Sequence, residues 1–141
     1  MNRITLEQAN RIVTAAFQKG AELKLKPLSV AVLDPGGHLI AFQRQDGASL
    51  MRFQIAAGKA SGALALGVSS RKIGEMAAER PSFVASLGPI APQGVIPAAG
   101  GVIVMEGGAV LGAVGVTGDT SDNDEICALA GIAAAGLKPQ G

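Results

Sequence analysis

The chain contains one histidine, His38, which follows the glycine turn at 34–37 and leads into an apolar run. An imidazole at that place could face an open groove, where it would act as a metal ligand or as an acid–base group. A half-exposed strand residue with only a structural role is the alternative. The sequence offers no second ligand and no fixed acid partner for it, so both interpretations stay open.

Three basic residues, Arg44, Arg52 and Lys59, form a second candidate site. Arg52 and Lys59 are seven positions apart, so they would share one face of a helix, with Ser49 at its start. Guanidinium and ammonium groups in this arrangement could bind a carboxylate. A solvated basic helix face is the alternative, although Lys59 stands among apolar and small residues, which favours partial burial.

The acidic residues Asp119, Asp122, Asp124 and Glu125 could bind a hard divalent cation through oxygen ligands, but their spacing fits no calcium loop. The start of a helix explains them better, with Asp122 as the N-cap and Glu125 as its capping-box partner. Cys127 follows in that helix between apolar residues, which indicates a small core residue rather than a reactive thiol. We therefore expect no metal site, and no catalytic residue is identified.

Length and composition limit the classes of function. A chain of 141 residues, 48% of them hydrophobic, predicts one domain spanning 1–141. The net charge is +1, and with no Trp, no Tyr and only four Phe the chain lacks stacking platforms, so we expect no nucleic-acid partner. No segment reaches the roughly 18–20 apolar residues that span a bilayer, and the start lacks a signal-like apolar core, which predicts a cytoplasmic protein without a membrane partner.

The hydrophobic pattern predicts the elements that must position these side chains. An amphipathic helix covers 6–24 behind a Thr5–Gln8 capping box. A strand, tight turn and strand follow over 30–42. Two more helices are predicted, over 49–66 with Ser49 as its cap and over 70–79.

The second half of the chain is predicted with less helix. Residues 86–101 are rich in proline and glycine and indicate a loop with at most one short strand. Runs at 102–105 and 110–116 predict a second hairpin, and a last helix is expected from about 126 to 135. Because both hairpins are antiparallel and their apolar faces need cover, the order of elements predicts an α+β fold with a mainly antiparallel sheet flanked by helices.

Several short motifs occur in the order found in one known family, and they extend over nearly the whole chain. Together they resemble the landmarks of the GlcG/HbpS-like family, which is also described as PduO C-terminal-like. Gln45 and Thr117 stand where the family pattern usually has Met and Ser. The motifs lie at 32–39, 44–48, 58–60, 100–104, 112–118 and 124–125.

The resemblance implies a profilin-like sheet of about five mainly antiparallel strands with helices on both faces, and a homo-oligomer, often an octamer. It also implies a small-ligand-binding protein that takes haem or a related planar carboxylated ligand in a groove of the oligomer. Arg44, Arg52 or Lys59 would then meet carboxylates, and His38 would lie near the metal. The alternative is a cofactor-independent enzyme of a catabolic operon, an isomerase, tautomerase or lyase acting on an oxo- or hydroxy-acid.

Overall fold

The computed structural model describes residues 2–141, and within that range it contains one antiparallel sheet and five α-helices. The helices are α1 (Leu6–Glu22), α2 (Arg52–Leu66), α3 (Ser70–Glu79), α4 (Pro81–Leu87) and α5 (Ser121–Ala134). The strands are β1 (Ser29–Leu33), β2 (Leu39–Arg44), β3 (Gly101–Glu106), β4 (Ala109–Thr117) and β5 (Lys138–Pro139). In this range no helix is both long and apolar enough to cross a membrane.

The sheet has the strand order β2-β1-β4-β3-β5, and all neighbouring strands are antiparallel. Helices α1 and α5 pack together on one face, and α2 covers the other. The expected α+β class, with a five-stranded sheet flanked by helices on both faces, is therefore confirmed. The two hairpins meet because β1 of the first pairs with β4 of the second.

Alternation along β1 divides its side chains between the two faces. Val30 and Val32 point into the main core under α1 and α5, while Leu33 contributes to the small cluster under α2. The α2 side is filled by small residues. At Gly115 an added Cβ would lie 1.9 Å from the Ala56 carbonyl oxygen, so α2 packs its backbone directly on β4.

Three local expectations differ from the structure. The capping box of α1 is present, but α2 begins at Arg52, where Met51 occupies the N-cap position without a side-chain hydrogen bond. Asp122 is not the cap of α5, because Thr120 accepts the hydrogen bond from the Asn123 N–H and α5 begins earlier than predicted. The predicted loop also begins inside helix α4 and continues through a 3₁₀ helix at Gly88–Ile90.

Candidate functional site

One row of polar side chains crosses three strands at one end of the sheet. Arg44 of β2 pairs with Ser29 of β1, and Ser29 pairs with Thr117 of β4. Residues that pair across antiparallel strands point to the same face, and this row points to the α2 side. The outer two positions are two strand spacings apart, about 10 Å.

The first turn of α2 stands over this row. Arg52 donates from Nη1 to Thr117 Oγ1 at 2.8 Å and from Nε to Ser49 Oγ at 3.0 Å. Phe53 packs edge-on against Phe42 of β2, with the ring centroids 4.9 Å apart. Because one contact reaches β4 and the other reaches β2, the helix start lies above β1, between them.

Arg44 and Arg52, like Arg3 and Arg80 elsewhere in residues 2–141, lack the acid partners that Arg11 and Arg71 have. Arg11 lies 2.6 Å from Glu7, and Arg71 binds two carboxylates, but within residues 2–141 no carboxylate oxygen lies within 4.0 Å of Arg44 or Arg52. Two cationic groups left without acid partners at one end of the sheet favour an anion there.

Apolar side chains surround Arg52 on the surface. Leu50 and Met51 just before it are 86% and 64% exposed, and Phe53 just after it is also exposed. A separate open depression of ≈ 560 Å³ lies at the same end of the sheet on the α1 side, with Phe17, Leu25 and Arg44 among its lining residues. Exposed apolar surface beside free guanidinium groups suits a ligand with an apolar body and acid groups.

As its apolar neighbours predicted, Lys59 does not project into solvent. Its side chain is 3% exposed, and Nζ donates to the Val116 carbonyl oxygen at 3.0 Å and to Asp124 Oδ2 at 3.1 Å. Burial lowers the pKa of Lys59, Asp124 opposes that shift, and nearby Arg52 adds to the lowering. Lys59 is therefore brought close to Arg52, but its ammonium group already has a carboxylate partner.

His38 lies at the far end of β2 from the basic row. Its side chain is 82% exposed, and Nδ1 lies 3.2 Å from Asp34 Oδ1, which also accepts from the His38 and Gly36 N–H groups. Burial acts to raise the pKa of Asp34, but those hydrogen bonds outweigh it and the pKa is lowered. Some 20 Å of strand separates His38 from Arg44.

Simple alternation from His38 along β2 would place His38, Ile40 and Phe42 on one face, but the structure does not have this arrangement. The strand begins at Leu39, and the register shifts between the pairs Val32–Ala41 and Leu33–Leu39. Ile40 consequently packs against the core under α1, while Phe42 lies on the α2 side. A bulge of this kind reverses the faces of the residues before it.

The acidic residues near α5 have structural partners. Asp122 and Glu125 bind Arg71 of α3, and Asp124 binds Lys59. In the part of the chain that the structure describes, no group of three His, Cys, Asp or Glu side chains could hold a metal ion. Burial raises the pKa of Cys127 to about 11, which agrees with a core residue.

Sequence reasoning missed Ser29 and the partner of Lys59. Ser29 is the single polar residue in the apolar run 28–33, and that break in the run was the available signal. Asp124 was assigned to a helix start, although it lies 65 positions from Lys59 and only the fold brings the two together. No local pattern could have paired them.

Comparisons with known proteins agree with this architecture. A family model described as "Haem degrading protein HbpS-like" matches residues 4–133. An uncharacterized 15.0 kDa protein in the dhaT-dhaS intergenic region of Citrobacter freundii is 31% identical over 125 residues, covering 89% of this chain and 87% of that protein.

Solved structures extend the similarity to three dimensions. HbpS of Streptomyces reticuli, as a double mutant, is 31% identical with a TM-score of 0.80 over 93% of this chain and 86% of its own. Klebsiella pneumoniae ORFY is 28% identical with a TM-score of 0.85, covering 94% and 90%. PduOC in complex with heme has a TM-score of 0.86, covering 99% of each chain, and its 20% identity supports the shared fold alone. With a family match over most of its length and this fold, the chain belongs to the HbpS-like family.

Proposed function

We propose that the chain is a small-ligand-binding protein that takes haem or a related planar carboxylated ligand in a groove of a homo-oligomer. The observation that carries the proposal is the pair Arg44 and Arg52, two guanidinium groups without acid partners at one end of the sheet, with exposed Leu50, Met51 and Phe53 around Arg52. Propionate groups would bind the arginines, and the flat apolar ring would cover the apolar side chains.

The family description supports haem as the ligand class, because it names haem-degrading proteins and matches residues 4–133. The chain's own residues fit the acid groups of haem through Arg44 and Arg52. His38 is the only imidazole available for the iron, and Cys127 is buried. Lys59 contributes positive charge close to Arg52, while its own hydrogen bonds go to Asp124 and Val116.

The separation of His38 from the basic row supports a groove between subunits. About 20 Å of strand lies between His38 and Arg44, which is too long for one haem to bind both through its iron and its propionates. The two groups would therefore meet one ligand only if they came from different subunits. Exposed Leu39, Leu50 and Met51 give such an interface apolar surface to bury.

Haemin titration tests this function. We expect wild-type protein to give a saturable Soret shift at subunit stoichiometry, and Arg44→Gln and Arg52→Gln each to weaken binding about tenfold or more, since each removes a charge-assisted hydrogen bond. Arg11→Gln is the matched control, because Arg11 is exposed and already pairs with Glu7. A spectrum without saturation, or equal affinity in all three variants, would contradict the proposal.

Light scattering tests the assembly separately. The proposal requires a species with a mass that is a multiple of 14.1 kDa at micromolar concentration. A monomer that still binds haemin stoichiometrically would reject the groove between subunits and keep the ligand.

The alternative, an enzyme acting on an oxo- or hydroxy-acid, needs a proton-moving group beside the carboxylate clamp. His38 lies at the other end of β2, and Asp124 is buried against Lys59. This arrangement favours binding over acid–base chemistry within one chain.

A further inference from the structure

Ser29 is the one buried side chain in residues 2–141 with a polar atom that has no hydrogen-bond partner. Its hydroxyl is 0% exposed and lies in the row between Arg44 and Thr117. A buried hydroxyl without a partner destabilises a fold, and alanine would fill the same place without that cost. A hydroxyl retained at this position therefore points to a hydrogen-bond partner outside the folded chain.

The helix start above Ser29 has no side-chain cap, although the Arg52 N–H donates to the Ser49 carbonyl oxygen at 3.3 Å. The first N–H groups of a helix have no partner within the helix, and here Met51 provides no side-chain cap and the first turn has no acidic residue. Side chains cap α1, α3 and α5, at Thr5, Ser69 and Thr120. An uncapped helix start attracts an anion, and the unpartnered Ser29 hydroxyl below it is a second, independent donor at the same place.

We propose that Ser29 is a specificity-determining residue, whose hydroxyl donates a hydrogen bond to a ligand carboxylate held at the start of α2 by Arg44 and Arg52. This inference rests on the proposed function and adds the contact that selects an acid group. Because Ser29 has no exposed surface, the proposal requires the Arg52 guanidinium to leave Thr117 for the ligand and to open a path to the hydroxyl. The class of ligand is then an apolar molecule with a free carboxylate, rather than its ester or amide.

Two pairs of ligands and one matched control variant test the inference. Haemin and haemin dimethyl ester differ in the carboxylates, and benzoate against benzamide at equal ionic strength gives the same contrast by thermal shift. Ser29→Ala should weaken haemin binding about tenfold, leave the weaker ester binding unchanged and abolish the benzoate shift. The thermal midpoint of Ser29→Ala without ligand should equal or exceed that of wild type.

Ser70→Ala is the control, since Ser70 is equally buried but accepts from the Gly101 N–H at 2.6 Å. That variant should lose stability and keep the preference for haemin over the ester. Unchanged haemin affinity in Ser29→Ala, or a lower thermal midpoint, would overturn the inference and leave the proposed function standing. If benzoate shifts the thermal midpoint of wild type but not of Ser29→Ala, and wild type does not bind haemin, the carboxylate contact stands and haem is rejected as the ligand. Binding of neither probe to wild type would reject both.

Discussion

Lys59 Nζ lies 3.1 Å from Asp124 Oδ2, and this ion pair joins α2 to α5 although the two helices cover opposite faces of the sheet. The contact passes the end of the sheet beside Gly100, where an added Cβ would lie 2.9 Å from Nζ. Asp124 Oδ1 also accepts from the Asp119 N–H at 2.9 Å. The buried pair therefore fixes both the helix that bears Arg52 and the loop that follows β4.

Removing one partner of this pair should be costly. We expect Lys59→Met and Asp124→Asn each to lower the free energy of unfolding by about 3–5 kcal/mol, because the remaining polar group stays buried without its partner. The double variant should lose clearly less than the sum of the two. Urea denaturation of the four proteins measures the coupling, and additive losses would show that the pair does not act as a unit.

The loop before α5 should make stability depend on acid pH through Asp119. A side-chain hydrogen bond from Asn123 and backbone N–H groups of Lys26 and Thr120 lower the pKa of Asp119 to about 2. The pKa of Asp119 in the folded state lies below the unfolded value of 3.8. Its contribution to the free energy of unfolding is therefore present above about pH 4 and is lost as the pH falls towards 2.

Urea denaturation of Asp119→Asn between pH 6 and pH 2 tests this dependence. The stability difference from wild type should be largest above about pH 4 and shrink toward pH 2, because the wild-type carboxylate is then protonated. Glu106→Gln, at the exposed last position of β3, controls for the loss of a surface charge. A difference that stays constant with pH would assign the effect to geometry and not to charge.

Close packing of α2 on β4 should make Gly115 intolerant of a side chain. In Gly115→Ala the new Cβ would meet the Ala56 carbonyl at 1.9 Å and Ala60 N at 3.2 Å, and both are helix backbone. We expect a loss of about 1–3 kcal/mol or more, since α2 must move away from the sheet. Gly88→Ala is the control, with no atom within 4 Å and φ of −52°. Equal thermal midpoints in the two variants would be inconsistent with the close approach.

The fold was predictable from the sequence where the signal is local. The Thr5–Gln8 box and the apolar period of α1 determine that helix, and the glycine turns determine both hairpins. The start of α2 was misplaced because Ser49 suits an N-cap, yet its hydroxyl accepts from the Arg52 side chain instead. The Arg52 side chain also bonds Thr117 of β4, a tertiary contact that no local pattern could indicate.

The site was predictable only in part. Residue type and spacing indicated Arg52 and Lys59 on one helix, and the structure brings them near each other. Ser29 and Arg44 became neighbours through strand register, which depends on where the β2 bulge falls. That bulge also removed His38 from the face that simple alternation assigned to it.

His38 gives the last prediction. Its ring is 82% exposed and bonds only Asp34, while the turn itself is held by the backbone N–H groups of Gly36 and His38 on the Asp34 carboxylate. His38→Ala keeps those two bonds, so the free energy of unfolding should change by less than about 0.5 kcal/mol. If the imidazole of one subunit binds the iron of a haem held by another, the same variant should weaken haemin binding and change the Soret position. Metal-free protoporphyrin, which offers no iron to ligate, should bind as before. Thermal midpoint and titration on one preparation decide between the roles, with Asp34→Asn as the control that keeps the imidazole. A loss of stability with unchanged haemin binding would assign His38 to structure.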